Sequence, residues 1–401
     1  MQRAAAVVLC SPTDARSLLA VAAELRGRGV PVRIYVLGGP GCRAIEESAR
    51  VAGWDSAVIG REAPLNTDRL LRAAKPAVVV MGADSLYYTR LLLEAARRRS
   101  VRSVLVQEAA NELVPRLQVR KPVSALLRQP ARAWFRIRTQ LAHGDILSLL
   151  ALAAPTLLGR PREVHGYGFG EVDLFCVATE RTHQAYEARG ARARRIVATG
   201  IPDFLPTIHL KPPKYDYLLL TQPFDVGGFA PSGWKQEFFR NLVRIIRRLS
   251  PDARILCKFH PSESAAEYGD LDETAVSDDL IDAISCSDVV ISVHSAALCA
   301  ALANGRPAIA YVPLELRKNT ENMVVDEMSR LGLLVADDAE FARLLDRLAH
   351  HRSQTWDPAA ARATFSLCLD GRATQRIADL IQAEIDAGDG SRSEGERLPR
   401  L

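Results

Sequence analysis

The chain has 401 residues, of which 48% are hydrophobic and 25% charged, with a formal net charge of +5 and seven cysteines. That length predicts two or three domains with real cores, and the composition is that of an ordinary soluble globular protein. It excludes a small disulfide-stapled scaffold, and no uninterrupted apolar run approaches the ~18 residues of a membrane-spanning helix. The cysteines are scattered and form no C-x-x-C pair, which fits buried thiols in a reducing cytoplasm better than zinc or disulfides.

The opening "MQRAAAVVLCSP" reads as a first strand rather than a signal peptide. A helix is expected over 14–28, opened by Thr13 or Asp14 and stopped at Gly29. "VPVRIYVLGG", "DSAVIG", "PAVVVMGAD" and "RSVLVQE" follow as strands, with helices over 41–52, 66–74 and 88–99 between them. Continuous Val/Ile/Leu runs alternating with helices predict a parallel sheet covered on both faces.

Next comes an unusual insert, about 113–160. It carries Arg116, Arg120, Lys121, Arg128, Arg132, Arg136 and Arg138 without an acid among them, interleaved with Trp134, Phe135 and aliphatic residues. "DILSLLALAAPTLLG" (145–159) follows it. Such a stretch reads either as a segment lying at an anionic membrane surface or as a solvated helix face followed by a core helix. The glycine-rich "HGYGFG" (165–170) reads as a flexible turn or an acceptor contact, and no helix follows it to make a phosphate loop.

The alternation resumes with the strand "VDLFCVAT", a helix over 180–189 and the strand "RRIVATG". Four prolines between 201 and 216 mark a linker. A second series comprises "YLLLTQP", a helix at 234–249, "ARILCKFHP", a helix at 278–286, "DVVISVH", a helix at 295–304, "PAIAYVP", and helices at 319–330 and 338–349. The expected fold class is therefore α/β, with two doubly wound, Rossmann-like domains facing across a cleft. The first domain is expected over 1–201, the second over 202–386, and a polar, disordered tail over 387–401.

Open parallel sheets bind ligands beyond the carboxyl ends of their strands, so candidate residues are sought there. His260 ends "ILCKF" immediately before Pro261, which halts sheet pairing, and Lys258 lies two residues back. The imidazole can donate a hydrogen bond to a phosphate, or it can simply cap a strand. The strand "DVVISV" runs into His294-Ser295-Ala296-Ala297, where small residues and the start of a helix can admit a phosphate. Ser295 as a plain N-cap is the alternative.

In their order, "LLLTQP", "KFHPSES", "SDVVISVHSAALCAALANGRPAIAYVP", "ENMVVDEMSRLG" and "DGRATQRIADLI" resemble the nucleotide-binding half of GT-B-fold transferases of bacterial surface polysaccharides. The similar groups are those with a His-Pro motif: sialyltransferases, polysialyltransferases and CDP-glycerol glycerophosphotransferases. The resemblance covers roughly 172–382 and is architectural only before that. It implies that His260 meets the donor phosphate or cytidine, that Ser295 and more weakly Ser292 hold phosphate, that Thr221 faces the nucleotide, and that Glu321 binds ribose. It also implies no metal and no cofactor, the substrate being a nucleotide-sugar donor with a CMP or CDP handle favoured by the His-Pro motif.

The front half departs from those families. It has neither the acidic motif of the sialyltransferases nor the His-Gly of the glycerophosphotransferases. The base that takes the acceptor proton is therefore sought among strand-end carboxylates, Glu108 first and Asp84 second, either of which can instead be a cap or an ion-pair partner. The expected partners are a nucleotide-activated donor, a glycan or glycolipid acceptor and an anionic membrane surface, with no nucleic acid. The expected place is the cytoplasm, peripheral to the inner face of the membrane. Two other classes compete. A non-hydrolysing UDP-N-acetylglucosamine 2-epimerase shares the architecture, but "VQEAANE" lacks the histidine of its His-x-Glu-Ala-Gly stretch. A degenerate scaffold subunit is the other.

Overall fold

The computed structural model describes residues 3–38, 42–59, 67–108, 116–117, 164–202, 205, 207–222, 233–260, 263, 266, 268, 275–317 and 322–387. The strands and helices divide between two units, each built on its own parallel sheet.

The first sheet comprises β1 (Ala4–Leu9), β2 (Val32–Leu37), β3 (Ser56–Ile59), β4 (Pro76–Met81) and β5 (Arg102–Val106). A two-residue antiparallel pair, β6 (Arg116–Leu117) with β7 (Val164–His165), stands apart from it. The sheet is completed by β8 (Leu174–Val177) and β9 (Arg195–Ala198), in the order β3-β2-β1-β4-β5-β8-β9. Every pairing within it is parallel. The central strands are buried along their length, Val78–Met81 and Val104–Leu105 having no exposed surface, as a sheet covered on both faces requires.

Helices α1 (Pro12–Gly27), α2 (Cys42–Val51), α3 (Thr67–Ala74), α4 (Tyr87–Arg98) and α5 (Glu180–Ala188) connect these strands. Helix α1 begins earlier than the sequence predicts. Its cap is Ser11, whose side chain accepts from the Asp14 N–H while the Asp14 side chain accepts from the Ser11 N–H. This reciprocal box outcompetes Thr13, and Pro12 fits the first helical position because it has no N–H to leave unbonded.

The second sheet comprises β10 (Tyr215–Leu220), β11 (Ile255–Lys258), β12 (Ala275–Val276), β13 (Ser287–Ser292), β14 (Ala308–Tyr311) and β15 (Leu334–Val335), in the order β12-β11-β10-β13-β14-β15. Its helices are α6 (Trp234–Leu249), α7 (Leu280–Ser285), α8 (Ala296–Ala303), α9 (Leu314–Arg317), α10 (Met323–Arg330) and α11 (Asp338–His350). Three short ones follow: α12 (Arg352–Thr355), α13 (Pro358–Thr364) and α14 (Ser366–Leu369). Helix α8, "AALCAALA", is apolar all round and buried from Ala297 to Ala303, so it lies inside the unit.

One boundary differs from the expected 202–386. The second unit ends at Asp370, and the last helix, α15 (Ala373–Ala387), belongs to the first unit, where it packs on α1. Its buried stripe Ala373, Ile377, Ala378, Ile381 and Ile385 supplies the apolar surface, and Arg376 donates to the Thr199 carbonyl at 2.6 Å. Sequence order alone cannot show such a return, because periodicity reveals that a helix has an apolar face but not which face receives it. The tail 388–401 and most of the basic insert lie outside the described residues. Among the described residues no helix is long and apolar enough to cross a membrane.

Candidate active site

In the second unit the carboxyl ends of three adjacent strands, β11, β10 and β13, bring the predicted residues together. Thr221 and Gln222 follow β10 in the middle and hold both neighbours. The Thr221 hydroxyl accepts from the His260 N–H at 3.0 Å on one side. The Gln222 side-chain oxygen accepts from the His294 N–H at 3.1 Å on the other. His260, Thr221, Gln222, His294 and Ser295 thus form one continuous edge.

Their roles differ from one another. The His260 side chain is exposed beyond the strand, and its pKa is pushed down by partial burial, with the Glu263 carboxylate opposing and Lys258 adding to the effect. At neutral pH it is largely a neutral imidazole, able to donate from one nitrogen and accept at the other. His294 is also pushed down by burial. Ser295 caps α8, its hydroxyl accepting from the Ala297 N–H at 3.3 Å, and remains half-buried. The helix N-terminus behind it carries a partial positive charge suited to an anion.

Three of the nominated groups have other duties. The Ser292 hydroxyl is wholly buried and donates to the Leu220 carbonyl at 2.9 Å, tying β13 to β10. Thr221 is 3% exposed, and its hydroxyl donates to Glu263 Oε2 at 2.6 Å besides receiving the His260 N–H. Lys258 Nζ donates to the Phe259 carbonyl at 2.6 Å. The expected ribose ligand, Glu321, lies outside the described residues, as does Pro261.

Glu263 is the residue that sequence reading passed over. Its Oε1 accepts from Lys235 Nζ at 2.9 Å and from the Tyr268 hydroxyl at 2.8 Å, with the Lys235 and Glu263 side chains only 2% and 1% exposed. The signal was present as a carboxylate three residues after the histidine, but the lysine that meets it lies 28 positions earlier. Beyond β14 and β15, a hollow of about 760 Å³ is lined by Trp234, Phe238 and Tyr311 together with the carboxylates Glu237, Glu315, Asp337 and Asp338, which outnumber its one cation among the described residues, Arg244. Those carboxylates disfavour a phosphate there, unlike the edge in front of α8.

In the first unit, Glu108 follows β5 and accepts from the Ser11 hydroxyl at 2.7 Å. Its own N–H donates to the Tyr167 hydroxyl, which donates to the Gly82 carbonyl at 2.7 Å. Burial raises the Glu108 pKa, against the Ser11 hydrogen bond. Asp14, absent from the candidates, sits beside it. Burial first and the Glu108 charge second push its carboxyl up to about 7. A raised carboxyl near a strand end is what a general base requires.

Asp84 is different in kind. It has no exposed surface, and its two oxygens accept from the Gly168 and Gly170 N–H groups at 2.9 and 2.7 Å. It pins the "HGYGFG" loop, whose residues 166–170 are all buried, with Tyr167 and Phe169 at 8% and 4% exposed. That loop is part of the core rather than a flexible turn, because aromatic packing and the carboxylate hold it from both sides. Among the described residues, no group of three His, Cys, Asp or Glu side chains is placed to hold a metal.

Residues 229–383 match the model of a family described as CDP-glycerol:poly(glycerophosphate) glycerophosphotransferase. On this match the chain is a transferase. The matched stretch contains His260, Glu263, His294 and Ser295 and runs into α15. No curated protein matches the chain. Among solved structures, a glycotransferase of kitacinnamycin is 16% identical, with 96% of this chain and 100% of that chain covered and a TM-score of 0.56. A putative UDP-N-acetylglucosamine 2-epimerase from Listeria monocytogenes is 12% identical, with 99% and 100% covered and a TM-score of 0.60. The wall teichoic acid polymerase TagF, in a structure with CDPG, is 12% identical, with 96% and 90% covered and a TM-score of 0.54. At such identities the likeness is one of fold: two parallel-sheet, Rossmann-like domains, as the alternation of strands and helices predicts.

Proposed function

We propose that the protein transfers a glycerophosphoryl or glycosyl group from a cytidine-nucleotide donor to a hydroxyl of a bacterial surface polysaccharide, the second unit holding the donor. One observation carries the reading. The stretch that matches the glycerophosphotransferase model contains the edge where His260, His294 and Ser295 converge in front of α8. On this reading the α8 N-terminus and the Ser295 hydroxyl take the donor phosphate, and His260 donates to the oxygen that departs with the nucleotide. With CDP-glycerol, the acceptor oxygen forms a bond to the phosphorus carrying glycerol as the phosphoanhydride bond breaks and CMP leaves. The acceptor proton passes to a base, for which Glu108 is proposed.

These donors are supplied by the chain, so turnover is proposed to survive EDTA. The basic insert is proposed to rest on the cytoplasmic membrane face, where such acceptors are assembled.

The test is binding and turnover together. CMP, CDP, CDP-glycerol, UDP, UDP-N-acetylglucosamine and GDP are compared for thermal stabilisation of the native chain, since a bound ligand raises the melting temperature by mass action. The expected pattern is stabilisation by cytidine nucleotides and acceptor-dependent release of CMP or CDP that EDTA leaves intact. Interconversion of UDP-N-acetylglucosamine without an acceptor would make the chain an epimerase. Nucleotide binding without any turnover would make it a scaffold.

A further inference from the structure

We infer that Glu263 is the positioning residue of the donor edge, fixing the backbone of His260 at both its N–H and its carbonyl. The functional half of this inference rests on the donor reading above.

Two connections define the arrangement. The Glu263 N–H donates directly to the His260 carbonyl at 2.8 Å, closing a tight turn. The Glu263 side chain then reaches back through Thr221, whose hydroxyl donates to Oε2 at 2.6 Å and accepts from the His260 N–H at 3.0 Å. Every backbone hydrogen-bonding group of the histidine is therefore accounted for by one residue, once directly and once through an intermediary. The imidazole is left to project beyond the strand.

Glu263 is in turn immobilised. Lys235, the second residue of α6, and Tyr268 both donate to Oε1, and the lysine ammonium lies 5.5 Å from the centroid of the Tyr268 ring. A buried ion pair is a poor way to gain stability, because removing two charges from water offsets most of their attraction, and an apolar pair of similar volume often serves better. What it supplies is direction. A carboxylate with both oxygens occupied has one low-energy orientation, and the Thr221 hydroxyl is oriented by it. Thr221, Lys235 and Tyr268, from three separate segments, thus converge on the turn beyond which the His260 side chain is exposed.

The experiment uses the full chain labelled selectively with 15N-histidine, which gives eight backbone amide resonances, that of His260 being assigned by its loss in H260Q. Thr221→Val removes the hydroxyl at nearly constant shape, Thr221→Ser restores it, and Glu263→Gln weakens the acceptor. Ser285→Ala serves as the control for general loss of stability, because it removes a hydrogen bond to the Asp282 carbonyl at the opposite end of the sheet. Thr221→Val and Glu263→Gln are expected to shift the His260 amide and to weaken CDP binding about tenfold, roughly one net hydrogen bond. Thr221→Ser is expected to return both readouts to within about twofold of the native chain. Ser285→Ala is expected to leave CDP binding unchanged.

An unmoved His260 amide in Thr221→Val overturns the proposal, as does a moved amide with unchanged CDP affinity. Equal loss of affinity in Ser285→Ala also overturns it. If the native chain binds no nucleotide at all, the donor reading has failed, and the amide shift alone then decides whether Glu263 holds the turn.

Discussion

Gln222 holds His294 by two atoms: its side-chain oxygen accepts from the His294 N–H at 3.1 Å, and its side-chain nitrogen lies 3.5 Å from Nδ1 of the imidazole. Because Thr221 next to it holds His260, two consecutive residues set the spacing between strands β11 and β13 at their carboxyl ends. Gln222→Ala is expected to weaken cytidine-nucleotide binding about tenfold by loosening the entry to α8. Titration calorimetry checks it, and an unchanged affinity would remove Gln222 from the site.

The two carboxylates nominated as base separate by substitution. Glu108→Gln keeps a hydrogen-bond acceptor for Ser11 and is expected to abolish turnover while leaving the melting temperature nearly unchanged. Asp84→Asn cannot serve both glycine N–H groups, and an unsatisfied buried donor costs about 1–3 kcal/mol. It is expected to lower the melting temperature and leave the turnover of the remaining folded protein largely intact. The reverse pattern in the two variants would exchange their roles.

Asp14 predicts a pH dependence of stability. Its carboxyl is pushed up to about 7 in the fold, from an ordinary value near 3.8. Between those values the native chain retains a proton that the unfolded chain has released, so this group makes stability fall as pH rises through the window. Above about 7 its unfavourable contribution is fully present. Relative to Asp14→Asn, the native chain should therefore lose stability progressively from about pH 4 to about pH 7 and change little above that. Parallel melting curves for the two across this range would show that Asp14 is ionised throughout.

Two glycines are required by close approach. A Cβ on Gly82 would lie 2.3 Å from Asp14 Cβ, and one on Gly168 would lie 2.6 Å from the Tyr186 ring and 2.7 Å from the Phe175 ring. Gly168 also has φ +78, a backbone conformation that side chains resist. Either alanine variant is expected to cost about 2–4 kcal/mol in denaturant unfolding. Alanine tolerated at both positions would mean that the packing around Asp14 and Tyr186 yields easily.

The arginine-rich insert predicts binding to vesicles containing anionic phospholipid, with affinity falling as salt rises toward 0.5 M, where screening shortens the reach of exposed charges. Co-sedimentation measures it. Binding indifferent to salt and lipid charge would refute an electrostatic attachment.

The alternating strands and helices were legible because β1 and β4 are continuous apolar runs and β10 and β13 carry apolar stretches at Leu218–Leu220 and Val289–Ile291, a pattern that burial on both faces explains. That His260, Thr221 and Ser295 gather at one sheet edge was legible because each follows a strand of the same parallel series. What escaped is what depends on distant partners. Glu263 acquires its meaning from Lys235 and Tyr268, and Asp14 acquires its raised pKa from burial next to Glu108, 94 positions away. Asp84 was legible as a strand-end carboxylate, yet its duty follows from two glycine N–H groups that no pattern of hydrophobicity reveals.

The path of the polypeptide through α15 has a consequence for how the molecule is made. On the ribosome the second unit, ending at Asp370, emerges whole before Ala373–Ala387 appears. It can therefore mature while the older half still lacks its closing helix. The segment synthesised first is the one completed last, and a nascent chain released around residue 370 would carry a finished rear half beside a front half with an uncovered greasy face.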